Sequence, residues 1–500
     1  MTGGIQRVAG AHRLAKLWST YTPYMLGITS NAGFNIILIS LLTHRLIPAV
    51  YGDYSVSVTA IVLISSTIGQ WLQQATGRYL AGSAARASCF TKAAILLGVG
   101  GILLALAVLC LLAAFFNLVH QTAVSQLLMV VIVSVAAQTL FTLVGTILQS
   151  EQRAWSYALQ QTSVGGLKIG FSLIACGISQ RSIGGLLYAC AAAQCLGVAY
   201  GASRAGLLDM TVLEKLKSRR TRVVLRKLRV YGGTMTLWFI FMNLAMYCDR
   251  LLVRVLAGSE TAGLYGAAST LVVGSVNLVM APVLAATWPQ LMAAWNARNE
   301  AAATRLLGNL LTALLCAGVA LVAIVSAVAE PATHLFLGEK FSAAKPLLPL
   351  LAASAFSFSL GPFFHKPLEF KEMKITMCIF AASALLLNAV LSVALTPWLG
   401  GVGAGVAALL AGSTYCVLCA LRGRAIASWR IRLDMLAVVT IAGGIAYFAA
   451  RSLSASWRFN SNLSKFAATG IGFSVAFGAG LGIAVLLQAY RRRPQTQTFE

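Results

Sequence analysis

Apolar stretches of about twenty residues recur along this chain, separated by short runs of charged and turn residues, and no other feature constrains its fold as strongly. They cover about 23–43, 53–74, 94–116, 124–147, 156–178, 183–202, 231–256, 263–288, 305–329, 346–365, 375–396, 402–421, 435–451 and 466–489. A bilayer core of ~30 Å takes roughly 20 apolar residues per helix, so each stretch is long enough to cross once. Within lipid a segment must satisfy its own backbone N–H and C=O groups, which selects helix for such runs. The chain reads as an all-α polytopic membrane protein with about fourteen transmembrane helices. With 58% hydrophobic and only 10% charged residues, it is too apolar for a soluble domain.

The net charge of +25 acquires meaning from its distribution. Basic residues are not gathered into tracts interleaved with exposed aromatics, so nucleic acid is not an expected partner. Of the 38 Lys and Arg, 28 fall in the N-terminal tail, the alternate loops and the C-terminal tail, 7 in the opposite loops and 3 inside spans. The positive-inside rule then puts both termini in the cytoplasm. The apolar run after Lys16 is too long for a signal-peptide core, so the first span is expected to be retained. Ten cysteines lack metal-type Cys/His spacing, and Cys416-x-x-Cys419 sits in an apolar span, where packing is the expected role. No metal or cofactor is expected.

These boundaries divide the chain into a cytoplasmic segment (1–22), a six-span lobe (23–202), a basic connection (203–230), a second six-span lobe (231–421), two further spans (422–490) and a tail (491–500). The connection holds nine basic residues, among them Arg219, Arg220, Arg222, Arg226, Lys227 and Arg229, against the two acids Asp209 and Glu214. It reads either as a topology anchor on anionic lipid or as a basic lip that gathers an anionic headgroup. A weak internal repeat joins the lobes: Gly52-x-Tyr54 matches Gly263-x-Tyr265 after similar turns, and the stretch from Ser182 to Ala189 overlays that from Gly401 to Ala408. Halves running in the same direction are related by an axis along the membrane normal, with a cavity between them.

Four segments in register carry a family resemblance. They are Leu46 to Tyr54 (LIPAVYGDY) with Arg78 after it, Asp249-Arg250 followed by Gly263-Leu264-Tyr265, Leu335 to Ala344 (LFLGEKFSAA), and Pro397 to Ala404 (PWLGGVGA). In these the chain resembles the polysaccharide-repeat-unit flippases of the multidrug/oligosaccharidyl-lipid/polysaccharide exporter superfamily. The resemblance implies two parallel-repeat six-helix lobes plus two C-terminal helices in a bacterial inner membrane. It also implies a lipid-linked anionic oligosaccharide as substrate, carried on undecaprenyl diphosphate and moved to the periplasmic leaflet by alternating access. Membrane lipid, a polysaccharide polymerase and export machinery are the partners that go with it.

Candidate cavity residues follow from polar groups inside spans. Lys168 lies near the middle of the fifth span with no carboxylate close in sequence; a charge there needs water, a partner or a substrate. It reads as a site for diphosphate or acidic sugar, or as a paired or snorkelling lysine. Arg250 and Arg254 share a helix face beside Asp249, and read as an interfacial ion-paired group or as an outer gate. Arg78 closes a polar helix end with Gln70, Gln73 and Gln74, whose spacing lines one face. Asn31 and Asn35 in the first span, and Gln160 and Gln161 in the fifth, are equally suited to sugar hydroxyls or to interhelical hydrogen bonds. His365 and Lys366 read as helix-end residues. Gly478 and Gly482 form a GxxxG suited to helix packing or to a dimer.

The nearest rival is a cation-coupled multidrug antiporter of the same superfamily, which needs a membrane-embedded carboxylate that the span centres do not offer. A membrane enzyme acting on the same lipid-linked sugar would need positioned carboxylates or a metal; Glu330, His334 and Glu339 are spaced too broadly. No G-x-x-x-x-G-K-[ST] occurs, so a nucleotide-driven pump is not expected.

Overall fold

A computed structural model describes residues 2–81, 85–120, 123–178, 183–297, 299–456 and 461–491, and among them no strand occurs. The helices are α1 (Thr2–Arg45), α2 (Pro48–Tyr79), α3 (Ala85–His120), α4 (Ala123–Ser150), α5 (Ala154–Ile178), α6 (Ile183–Arg204), the short α7 (Met210–Leu213) and α8 (Arg219–Asn296). They continue with α9 (Glu300–Ala332), α10 (Leu347–Phe364), the short α11 (Lys366–Phe370), α12 (Lys374–Leu399), α13 (Gly401–Arg424), α14 (Leu433–Ser456) and α15 (Asn462–Arg491). A π-turn (Thr333–Leu337) and a 3-10 turn (Glu339–Ala344) lie between α9 and α10.

α8 is broken at Gly258, whose φ of +84° is strained for any residue with a Cβ. Its two arms are separate spans. With α7 and α11 set aside, fourteen long helical segments remain among the described residues, one for each apolar stretch. Eleven helical stretches are long and apolar enough to cross a membrane, and one of them, Thr236–Met280, runs through the break. α5 is not among the eleven; Gln160, Gln161 and Lys168 dilute its apolar length.

Helix bounds and packing add detail to the sequence expectation. Residues 2–22 continue the first span as helix. The basic connection is short, because α8 starts at Arg219 and carries its arginines on an exposed helical face, with Thr221 and Leu228 turned inward. The expected Gly478/Gly482 packing is not used by the described residues. A methyl at either position meets nothing within 4 Å, whereas one at Gly480 would lie 3.2 Å from Ala442 on α14.

Packing falls into two groups. α1, α2, α4, α5 and α6 pack on one another, as do α8, α10, α12 and α13, while α14 and α15 pair and lie against α9. The groups are joined chiefly along α2, which lies against α8 over most of its length. At the end of α2 far from the termini, Gly52 and Gly263 meet: a methyl on Gly52 would sit 2.0 Å from Ser259 O, and one on Gly263 1.9 Å from Pro48 O. Such an approach between backbones is open only to residues without a Cβ. Near the other end Arg78 lies over the ring of Tyr231 at 4.8 Å. The matched positions of the weak repeat thus touch each other.

Candidate functional site

Between the two groups lies a cavity of about 550 Å³, walled by α1, α2, α5 and both arms of α8. α1 and α5 run side by side, so polar residues one helical turn apart on each form rungs across the pair. Asn31 Nδ2 donates to Gln161 Oε1 at 2.8 Å, Asn35 Nδ2 donates to Asn31 Oδ1 at 3.1 Å, and the Ser30 and Thr162 hydroxyls meet at 2.7 Å. Asn31, Asn35 and Gln161 line the cavity, and their remaining donor and acceptor capacity faces a space large enough for sugar. Tyr157, Thr59, Thr270 and Asn277 add further polar groups to the wall.

Arg250 is the cation of this wall. Its Nη2 donates to Ser269 Oγ at 2.8 Å, a link from the first arm of α8 to the second, and its guanidinium lies 5.4 Å from the Tyr247 ring centroid. The neighbouring Asp249 interacts with it through space but forms no ion pair with its guanidinium. That carboxylate is buried and is held instead by the Arg250 backbone N–H, 2.8 Å from Oδ1, and by the Tyr265 hydroxyl, which donates to Oδ2. Arg250 makes no ion pair among the described residues, and no carboxylate lines the cavity among them. A guanidinium with open donors in a partly dehydrated space is suited to phosphate oxygens.

Arg254, one turn on, turns away from the cavity and pairs with Asp53 of α2, Nε to Oδ1 at 2.6 Å, so the acid partnering the arginine pair is Asp53 and not Asp249. The pair is about 40% exposed on each side and stands beside the Gly52–Gly263 contact.

The remaining candidates lie elsewhere. Lys168 is half-buried on α5 without a hydrogen bond or ion pair among the described residues, close to Cys190 of α6, and does not line the cavity. Arg78, stacked on Tyr231, stands at the far end of α2. Gln70 is buried and Gln74 half-buried on the same helix outside the cavity wall, while Gln73 donates to Thr142 Oγ1 at 2.9 Å. His365 and Lys366 stand at the helix end between α10 and α11 and are buried there: His365 Nδ1 meets the Tyr415 hydroxyl at 3.0 Å, and Lys366 pairs with Glu369 at 2.6 Å. Glu330 is occupied by Lys345 and Lys465. The polar and aromatic wall residues that the sequence reading passed over are Thr59, Tyr157, Tyr247, Thr270 and Asn277. Their only signal was a single polar group on an otherwise apolar face.

No protein-family model and no curated protein matches the chain. Its fold is that of solved transporters. It is similar to lipid II flippase MurJ in an inward closed conformation, with a TM-score of 0.67 and 12% identity over 93% of this chain and 98% of that one. It is similar also to an inward-facing multidrug resistance MATE family transporter of the MOP superfamily, with a TM-score of 0.61 and 14% identity over 83% and 96%. A MOP superfamily transporter from Pyrococcus furiosus matches with a TM-score of 0.56 and 14% identity over 85% and 96%. The chain therefore has the fold shared by the flippase and multidrug members of that superfamily, in a multi-pass membrane setting.

Proposed function

We propose that this protein is a flippase that carries an undecaprenyl-diphosphate-linked oligosaccharide repeat unit from the cytoplasmic to the periplasmic leaflet of a bacterial inner membrane. The observation that carries this reading is the cavity wall: one arginine without an ion pair among the described residues, with amide and hydroxyl groups around it. Arg250 takes the diphosphate, and Asn31, Asn35 and Gln161 take sugar hydroxyls by exchanging the hydrogen bonds they now make with one another. The likeness in fold to a lipid II flippase supports a lipid-linked substrate.

The contacts of α2 with α8 support alternating access. The Gly52–Gly263 approach and the Asp53–Arg254 pair close one end of the lobe boundary, and Arg78 on Tyr231 ties the other; release of one set at a time opens the cavity to one leaflet. Lys168, which has no partner among the described residues, is a second anion site that the headgroup meets outside the wall described above. A polymerase and export machinery would consume the flipped unit.

The test is deletion followed by analysis of lipid-linked oligosaccharide by leaflet. Intact repeat units accumulating on the cytoplasmic side are expected. A normal repeat-unit pool with lost drug resistance would instead establish the multidrug antiporter, a reading that the buried Asp249 beside the cavity favours as a cation site. For Lys168, export by K168A equal to that by K168R removes it from the substrate path.

A further inference from the structure

A second cavity, of about 530 Å³, lies far from the first, between the start of α9 and the segment 425–432 that joins α13 to α14. Its lining includes Arg305, Asn309, Trp429, Arg430 and Arg432, with Glu300 as its one carboxylate. The segment is fixed and not a loose connection. The Arg432 backbone N–H donates to Thr312 Oγ1 of α9 at 3.1 Å, and a methyl on Gly308 would lie 2.7 Å from Arg430 O.

Trp429 forms the inner wall. It is 3% exposed, with the Arg424 guanidinium 4.8 Å from its ring centroid on one side and Phe364 packed against it on another. Its Nε1–H is buried without a hydrogen-bond partner among the described residues, behind the wall that the ring presents. Of the cavity's arginines only Arg432 is paired, with Asp434 at 3.0 Å; Arg305 and Arg430 have no partner among the described residues. Two open guanidinium groups in one cavity, beside the aromatic wall of Trp429, make a receptor for a phosphate group.

The flanks of the cavity indicate where that phosphate comes from. Leu421 and Leu433, at the two ends of the joining segment, are 66% and 70% exposed, and these helices belong to the membrane-spanning set. An acyl chain can lie on them while a headgroup occupies the arginines. We propose that this cavity binds the phosphate headgroup of an anionic phospholipid, at a site separate from the central cavity and independent of what that cavity carries.

The test uses the full-length protein in nanodiscs of phosphatidylcholine with a minor fraction of phosphatidylglycerol, read by native mass spectrometry of retained lipid. Wild type is expected to retain phosphatidylglycerol above its bulk fraction. R305A/R430A should lose that enrichment, about fivefold for each basic residue removed, and R305K/R430K should keep most of it. Should the alanine pair fail to fold, R305Q and R430Q singly carry the same expectation. Equal retention of both lipids by wild type, or undiminished enrichment in the charge-free variants, overturns the proposal. So does saturable binding of inorganic phosphate in pure phosphatidylcholine nanodiscs without phosphatidylglycerol enrichment, because that result makes the site one for soluble phosphate.

Discussion

The α1/α5 pair in the first group and the α8/α12 pair in the second use polar side chains to join a helix to its neighbour, with opposite results. Across α1 and α5 the rung of Asn35, Asn31 and Gln161 borders the central cavity and keeps hydrogen-bonding capacity open to it. Across α8 and α12, Asn388 is fully buried and donates to Ala245 O at 2.7 Å, and Ser392 donates to Asn388 Oδ1 at 3.0 Å. One pair offers its polar groups to a ligand; the other spends them on cohesion. The second group adds to the cavity mainly through α8, which brings Arg250 to face the amide rung. Under the proposed function recognition is divided, with amides for sugar hydroxyls on one side and a cation on the other.

The largest expected effect tests that division. Arg250→Ala should lower repeat-unit export by about tenfold or more, the scale of a lost charge-assisted hydrogen bond, while Arg250→Lys retains part of it. Polymer output in a deletion strain measures both, and an alanine variant that exports like wild type would leave the cavity without its cation role. Next comes the boundary itself. Gly263→Leu should destabilise the fold by about 1–3 kcal/mol through overpacking against α2, seen as a lower Tm in detergent together with lost export.

The contrast between the two rungs is sharpened by a matched pair of substitutions. Asn388→Ala should cost roughly 0.6–1.7 kcal/mol of stability, whereas Asn31→Ala should reduce export and leave Tm nearly unchanged. Equal Tm losses would mean that both rungs serve cohesion. The smallest effect belongs to the half-exposed Asp53–Arg254 pair. Asp53→Asn should change stability by no more than about 1 kcal/mol, and the exchange D53R/R254D should restore whatever export D53N loses.

The apolar runs were legible because lipid imposes its demand residue by residue, and a span needs no partner to be recognised. Gly52 and Gly263 were legible as matched positions, although nothing local told that the two would touch. Arg250 was visible as a cation within a span, but its freedom depends on Asp249 turning to Tyr265, sixteen residues on. The partner of Arg254 comes from 201 residues away. Lys168 carried the clearest signal in the sequence and yet lies outside the cavity wall, because depth in a span says nothing about which face of a helix meets a neighbour. The His365 and Lys366 pair stands at a helix end as expected, between α10 and α11, and its burial, which nothing local signals, comes from α13 closing over it.

The unpaired Arg250 also bears on voltage. If the cargo is an anion, its passage away from the cytoplasm runs with the field of an inside-negative membrane, which contributes about 2.3 kcal/mol per unit charge for each 100 mV. The guanidinium belongs to α8 and does not leave with the cargo, so it does not cancel the charge that is released. Each turnover would then move current, and the membrane potential alone would favour the loaded, outward stroke over the empty return.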